Sequence, residues 1–315
     1  MSPRTRSQKA RARYRLTTPG WAIAGLVALA AGTVALTVAA VAHGNPDEAD
    51  AASPVPATTA TPTGTPSPTA SPTPPTLTLA PLARADERFL MIDASGTAWR
   101  GVAGSCAAGT APQVERSADG GSTWADVTPA YLGIRQIAGI LPLTAGEAQL
   151  VAATDAACTT LGLRTYTQGV FWEPYPEVLT GATYLPIADP VALVTPIGAP
   201  PAPCAEPTSL SVSGSYAALL CDQQPYVWSA ELGESWAGVA AASPARAVLV
   251  SNDTLTIARA SAECSGLAIS STAASDRSTF TTSCQPDLDA SAPAVLAADP
   301  RGVVSLWSGD TLVTF

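Results

Sequence analysis

Histidine is almost missing from this chain: His43 is the only one among 315 residues. It stands beside an apolar run near the N-terminus, so the rest of the chain lacks the base of a Ser-His-Asp triad and the imidazoles of a histidine-held zinc site. No Cys-x-x-Cys occurs, which removes thioredoxin-like and zinc-ribbon readings. Lysine is as scarce, with Lys9 alone beside 15 arginines, and charged residues of all kinds make up only 13% of the sequence. Together with abundant alanine this looks like a protein from a high-GC bacterium. Acidic residues are absent before Asp47, while Arg4, Arg6, Lys9, Arg11, Arg13 and Arg15 all precede Trp21. Six of the 16 cations thus sit in the head, leaving ten against 25 acidic residues, a balance of −15. A body so acidic is not expected to bind nucleic acid.

Between head and body, Trp21 to Ala42 carries no charge and is long enough to cross roughly 30 Å of hydrocarbon as a helix. Cations immediately before it and none close after it orient the N-terminus toward the cytoplasm. The expected layout is a basic cytoplasmic tail over 1–20, a single transmembrane helix over 21–42 and an extracytoplasmic remainder. The alternative is secretion after signal cleavage near Ala42, at Ala40-Val41-Ala42 before His43; the apolar run exceeds the usual h-region of about 7–15 residues, which favours retention. Residues 43–75 are rich in Pro, Thr, Ala and Ser and cannot bury a core. They read as a disordered linker able to reach on the order of 100 Å if extended at about 3 Å per residue.

From residue 76 to 315 no long helical period occurs. Short alternating apolar runs such as Arg88–Ile92, Ala148–Ala152, Arg246–Val250 and Leu255–Ala258, separated by Gly, Pro, Asp and Ser, predict an all-β domain. One stretch repeats. Ser117-Ala118-Asp119-Gly120-Gly121-Ser122-Thr123-Trp124 returns as Thr165-Tyr166-Thr167-Gln168-Gly169-Val170-Phe171-Trp172 and as Ser229-Ala230-Glu231-Leu232-Gly233-Glu234-Ser235-Trp236. Ala273–Phe280 is a weaker echo. The terminal aromatics at 124, 172, 236 and 280 are 48, 64 and 44 residues apart, near the ~40–50 of a propeller blade, with the Pro-rich Thr195–Pro207 expected to supply the extra length in the middle. A partial repeat, Ala294–Phe315, stops before any such stretch.

On these residues the outer domain resembles the Asp-box (BNR-repeat) propellers of the sialidase superfamily, a group that includes noncatalytic assembly factors and sorting receptors. The resemblance implies a β-propeller of about five four-stranded blades, with each box on the hairpin between third and fourth strands. Ser117, Asp119, Gly121, Trp124, Thr165, Gly169, Trp172, Ser229, Glu231, Gly233 and Trp236 are then structural. Within such a turn a carboxylate can accept backbone amides, glycine takes a conformation closed to other residues, and tryptophan packs between sheets. If Trp124 is buried there, its replacement by alanine costs about 3–5 kcal/mol. Thr76-Leu77-Thr78-Leu79, an alternating run, is expected to close the ring beside the C-terminal strands.

Cys106, Cys158, Cys221 and Cys264 each precede a box by a similar distance, and all six cysteines lie where an oxidising compartment allows disulfides. The expected pairs are Cys106–Cys158 across adjacent blades, Cys204–Cys221 and Cys264–Cys284, one of 15 possible pairings.

No catalytic residue can be carried over from the sialidases. Their Arg-Ile-Pro signature is absent, and Arg88, Arg100, Arg116, Arg135 and Arg164 read mostly as solvated strand-edge charges. Asp287-Leu288-Asp289-Ala290-Ser291 resembles the start of a calcium loop, yet Ala292 and Ala298 replace its glycine and closing glutamate, so a solvated turn is expected and no metal or cofactor. Asn252-Asp253-Thr254 fits a glycosylation sequon, a pattern common by chance. Phe171-Trp172-Glu173-Pro174-Tyr175 reads as fourth-strand packing in preference to a sugar-stacking surface. The functional expectation is a membrane-anchored scaffold or binding module of the cell envelope, with a protein or cell-wall glycan as ligand and oligomeric state unassigned; the alternative is a divergent sialidase-like glycoside hydrolase.

Overall fold

In the computed structural model the described residues are Leu77 and 79–315. The basic tail, the Trp21–Ala42 span, the Pro/Thr linker and Thr76 and Thr78 lie outside them. Among the described residues no helix is long and apolar enough to cross a membrane.

The described chain is built of antiparallel strands laid down in sequence order. Blade 1 comprises β1 (Arg88–Ile92), β2 (Ala98–Val102), β3 (Gln113–Ser117) and β4 (Ala125–Asp126); blade 2 comprises β5 (Gln136–Thr144), β6 (Glu147–Ala153), β7 (Thr160–Thr165) and β8 (Glu173–Pro174). Blade 3 contains β9 (Thr208–Ser213), β10 (Tyr216–Cys221), β11 (Gln224–Ser229) and β12 (Ala237–Gly238), and blade 4 contains β13 (Ala245–Ser251), β14 (Thr254–Ser261), β15 (Cys264–Ala273) and β16 (Thr281–Gln285). Blade 5 has three strands, β17 (Ala294–Ala298), β18 (Val304–Ser308) and β19 (Thr311–Thr314). The described residues form an all-β, five-bladed propeller.

Because each blade is covered on both faces, its middle strands read as continuous apolar runs: all six residues of β10 are buried. The core lies between blades. Trp99, Ile137, Leu150, Leu163 and Trp172 fill the space between blades 1 and 2. Leu220, Val248 and Ile257 do so between blades 3 and 4, and Leu249, Leu267, Leu296 and Leu306 between blades 4 and 5. Tight hairpins keep the strands in register. Asn252 and Asp253 both have positive φ, 46° and 61°, as a two-residue type I′ turn requires.

The extra length between blades 2 and 3 includes Thr195–Pro207 as expected but begins well before it, at Tyr175, and it packs as a wedge between the two blades. Val178 and Ala182, from the helical turn Val178–Gly181 and its end, pack on Ala138 and Val151 of blade 2. Leu193, Ala202 and Cys204 pack on Leu219 and Cys221 of blade 3, and a bridge between Tyr184 and Val194 braces the segment.

Leu77 and Leu79, the described residues of the Thr76–Leu79 run, do not close the ring at the C-terminal strands. Neither Leu77 nor Leu79 is in a strand, the Leu79 carbonyl accepts a hydrogen bond from Gln223 Nε2 at 2.9 Å, and the Ala80 carbonyl accepts one from Arg246 Nη1 at 2.8 Å. Closure is made by side chains between blades 5 and 1. Leu90, Val295, Ala297 and Trp307 are buried there with Trp124 and Leu312 against them. The Arg88 guanidinium lies 4.1 Å from the Trp307 ring centre and donates to the Gly309 carbonyl.

Candidate functional site

The inner strand of each blade pairs with a strand on one edge only, so its other edge faces the propeller axis without a strand partner. Five such edges, from β1, β5, β9, β13 and β17, surround a cavity of about 430 Å³, and consecutive residues of each strand contribute to its wall. That volume falls within the ~300–1,000 Å³ of ordinary small-ligand sites. The wedge contributes Gly181–Leu185 and Pro196.

Glu87 is the sole acid among the described residues lining the cavity. Its Oε1 accepts the Ser209 N–H at 2.9 Å, tying blade 1 to blade 3, and its Oε2 stands 3.8 Å from Arg84 Nη2. Burial pushes this carboxyl above the ordinary glutamate range, against the opposing pull of the Arg84 charge and the Ser209 amide. Reasoning from sequence missed Glu87, since nothing local marks a residue whose partners lie in another blade.

The repeated stretches lie elsewhere. Each connects the third and fourth strands of blades 1 to 4, and none of Ser117, Asp119, Gly121, Trp124, Thr165, Gly169, Trp172, Ser229, Glu231, Gly233 and Trp236 lines the cavity. In blade 1, Ser117 Oγ accepts the Gly121 N–H at 2.8 Å and donates to Asp119 Oδ1 at 2.7 Å. The Asp119 carboxylate also accepts the Thr123 N–H at 2.8 Å and its hydroxyl at 2.6 Å, and Gly121 has φ +94°. Hydrogen bonds from Thr123 and Ser117 hold Asp119 at a pKa of about 2.

The other turns spend different groups on the same task. In blade 2, Thr165 Oγ1 accepts the Gly169 N–H at 3.0 Å, and the Thr167 hydroxyl takes over the role of Asp119 by accepting the Phe171 N–H at 2.9 Å. In blade 3, Ser229 Oγ accepts the Leu232 N–H at 3.3 Å. Glu231 is exposed, and no hydrogen bond to its carboxylate is found among the described residues. The indoles differ as well. Trp172 is 1% exposed and donates to the Val127 carbonyl at 3.0 Å. Trp124 is only half-buried, so the cost expected for an enclosed indole belongs to Trp172 and not to Trp124. Trp236, also half-buried, donates to the Pro201 carbonyl at 3.0 Å, pinning the wedge.

Three disulfides form, Cys106–Cys158, Cys204–Cys221 and Cys264–Cys284, with Cα separations of 5.9, 5.8 and 5.5 Å. The first joins blades 1 and 2, the second ties the wedge to blade 3, and the third lies within blade 4.

Most of the arginines read as solvated are paired or stacked instead. Arg100 Nε donates to Glu115 at 2.7 Å and its guanidinium lies 4.1 Å from the Trp124 ring centre; Arg164 pairs with Glu147; Arg116 donates to the Ala145 carbonyl at 2.8 Å. A guanidinium can stack flat on an aromatic while its edge hydrogen-bonds, which solvated-charge reasoning overlooks. Asp289 is a turn residue whose carboxylate accepts the Ser291 N–H and hydroxyl, and no group of three or more metal-ligating side chains occurs among the described residues.

No family model matches the chain, and no curated protein matches it in sequence. Solved structures similar to it include YCF48 bound to D1 peptide, at 15% identity and a TM-score of 0.28, covering 71% of this chain and 62% of that one. The Hadza microbial sialidase Hz136 is similar at 12% identity and 0.31, covering 72% and 51%, and an endo-1,4-beta-xylanase from Bacteroides thetaiotaomicron at 11% and 0.34, covering 75% and 89%. At such scores the likeness carries no inference about activity.

Proposed function

We propose that the chain is a single-span membrane protein whose outer propeller, with Asp-box turns as folding devices, serves as a binding or scaffold module of the cell envelope for a protein or cell-wall glycan. One observation carries this reading. The axial cavity has the size of a ligand site but, among the described residues, a single acid on its wall, and that acid is engaged by Ser209, whereas glycoside hydrolysis uses a pair of carboxylates across the scissile bond. The retained anchor is supported by the length of the Trp21–Ala42 run.

The test is the full-length chain, purified in detergent, against a panel of sialosides and cell-wall glycans. No turnover is expected, together with an intact mass that includes residues 1–42. Turnover that disappears in the Glu87→Gln variant would replace the module with a hydrolase.

A further inference from the structure

Four turns occupy one position in four blades, so the molecule supplies its own control for what that position needs in order to fold. At the second place of the stretch three blades carry alanine, Ala118, Ala230 and Ala274, and blade 2 carries Tyr166. At the sixth, Ser122, Glu234 and Ser278 stand against Val170; at the seventh, Thr123, Ser235 and Thr279 stand against Phe171. Small or polar residues therefore suffice to close the turn. In blade 2 alone they are replaced by large apolar ones, and these are not buried: Tyr166 is 55% exposed, Val170 80% and Phe171 51%.

The surroundings extend the same surface. Tyr131, itself 56% exposed, stacks on Phe171 with ring centres 5.6 Å apart and planes 5° from parallel. Its hydroxyl donates to the Trp172 carbonyl at 2.6 Å and accepts the Trp172 N–H, so the ring is held in place. Tyr166 meets Tyr175 edge-on at 6.0 Å. The tip of the β5–β6 hairpin, bearing the exposed Leu143, is joined to the turn by the Gln168 N–H donating to the Gly146 carbonyl at 2.9 Å. Among the described residues the only exposed large apolar side chains outside this cluster are Leu77 and Phe315. A clustered apolar surface with immobilised aromatics loses little side-chain freedom on contact, and it is the usual mark of an interaction site.

The rim selects the partner. Arg164 is neutralised by Glu147 and Arg116 is engaged by a backbone carbonyl, while Glu173 and Glu177 are exposed and neither forms an ion pair among the described residues. An acidic rim on an acidic body repels an anionic bilayer, and in a two-fold pairing of copies it would face its own charge. The centre formed by Leu143, Val170 and Phe171 carries no polar side-chain atom, so it matches the apolar side chains of a protein better than the hydroxyls of a glycan. We propose that this turn, with Tyr131 and Leu143 beside it, docks a partner protein whose contact surface has an apolar centre ringed by Lys or Arg. The proposal rests on the reading of the chain as a binding module and names the surface and class of ligand.

The experiment places the photoreactive amino acid p-benzoylphenylalanine at position 170 of the full-length chain, and at the equivalent position 122 as control, in cells that make the protein. A discrete protein adduct is expected at 170 and not at 122. The adduct protein, identified and purified, should bind the full-length chain at least tenfold more weakly when Val170→Ser and Phe171→Thr are combined, and several-fold more weakly with Glu173→Lys and Glu177→Lys. The first pair copies residues that other turns already carry, and the second leaves the core untouched, so folding is retained. No adduct specific to 170, an adduct with a second copy, a lipid or a glycan, or an affinity unchanged by the first pair overturns the assignment. Glycan turnover would overturn the module reading without altering the crosslink, so the two failures are distinguishable.

Discussion

A carboxylate on the protein surface ionises readily in water, and it falls below its ordinary range only when the fold supplies donors that water would not hold in place. Asp119 has such donors in the Thr123 hydroxyl, the Ser117 hydroxyl and the Thr123 amide, and its pKa drops to about 2. A depressed carboxyl contributes stability that is present above the unfolded value of 3.8 and is lost as pH falls through about 2. The Asp119→Asn variant should therefore be less stable than wild type at pH 7, with the gap in melting temperature closing between about pH 4 and pH 2. Parallel wild-type and variant curves across that window would remove Asp119 from the turn's energetics. Thr167 shows that the charge is one solution among several: a hydroxyl accepts the equivalent amide in blade 2. That the Ser-x-Asp stretch marks a turn was expected from its resemblance to known repeats, and residue types could account for its hydrogen bonds because these stay within eight residues. That its copy in blade 2 presents an exposed apolar surface was also written in the sequence, at Tyr166, Val170 and Phe171, but only a comparison of copies for their differences exposes it.

At the scale of elements, strands formed by short alternating runs were readable, with Arg88–Ile92 forming β1 and Arg246–Val250 lying within β13. The wedge was not, because residues 175–194 carry neither strand nor helix periodicity and are shaped by the two blades they separate. One contact fixes its start. Gly162 in β7 lies so close to the wedge that a β-carbon there would meet the Tyr175 carbonyl oxygen at 2.6 Å and the Val178 β-carbon at 2.6 Å. Neither is the end of a flexible side chain. Gly162→Ala should cost about 1–3 kcal/mol in denaturant unfolding and speed proteolysis within 185–200, where the displaced segment would be released. Unchanged proteolysis with lowered stability would mean that strain is taken up by β7 and not by the wedge. The Cys204–Cys221 bond would still hold the far end of the wedge on blade 3.

At the scale of the whole molecule, a ring needs its last blade joined to its first, and the two available devices differ in energy. A strand shared between termini works through backbone hydrogen bonds, and Leu77–Leu79 has the alternation for it; local pattern could not reveal that the Leu79 carbonyl is captured by Gln223 of blade 3. The device present is burial. Trp307 is 5% exposed among Leu90, Val295 and Ala297, with Arg88 stacked on its ring. Truncating such an indole costs about 3–5 kcal/mol, whereas the Gln223 hydrogen bond contributes about 0.5–1.5 kcal/mol. Denaturant unfolding of the full-length chain should thus show Trp307→Ala far more destabilising than Gln223→Ala. If the N-terminal segment were what held the ring shut, the order would reverse, since loss of its anchor would expose both the edge of β19 and the interface between blades 5 and 1.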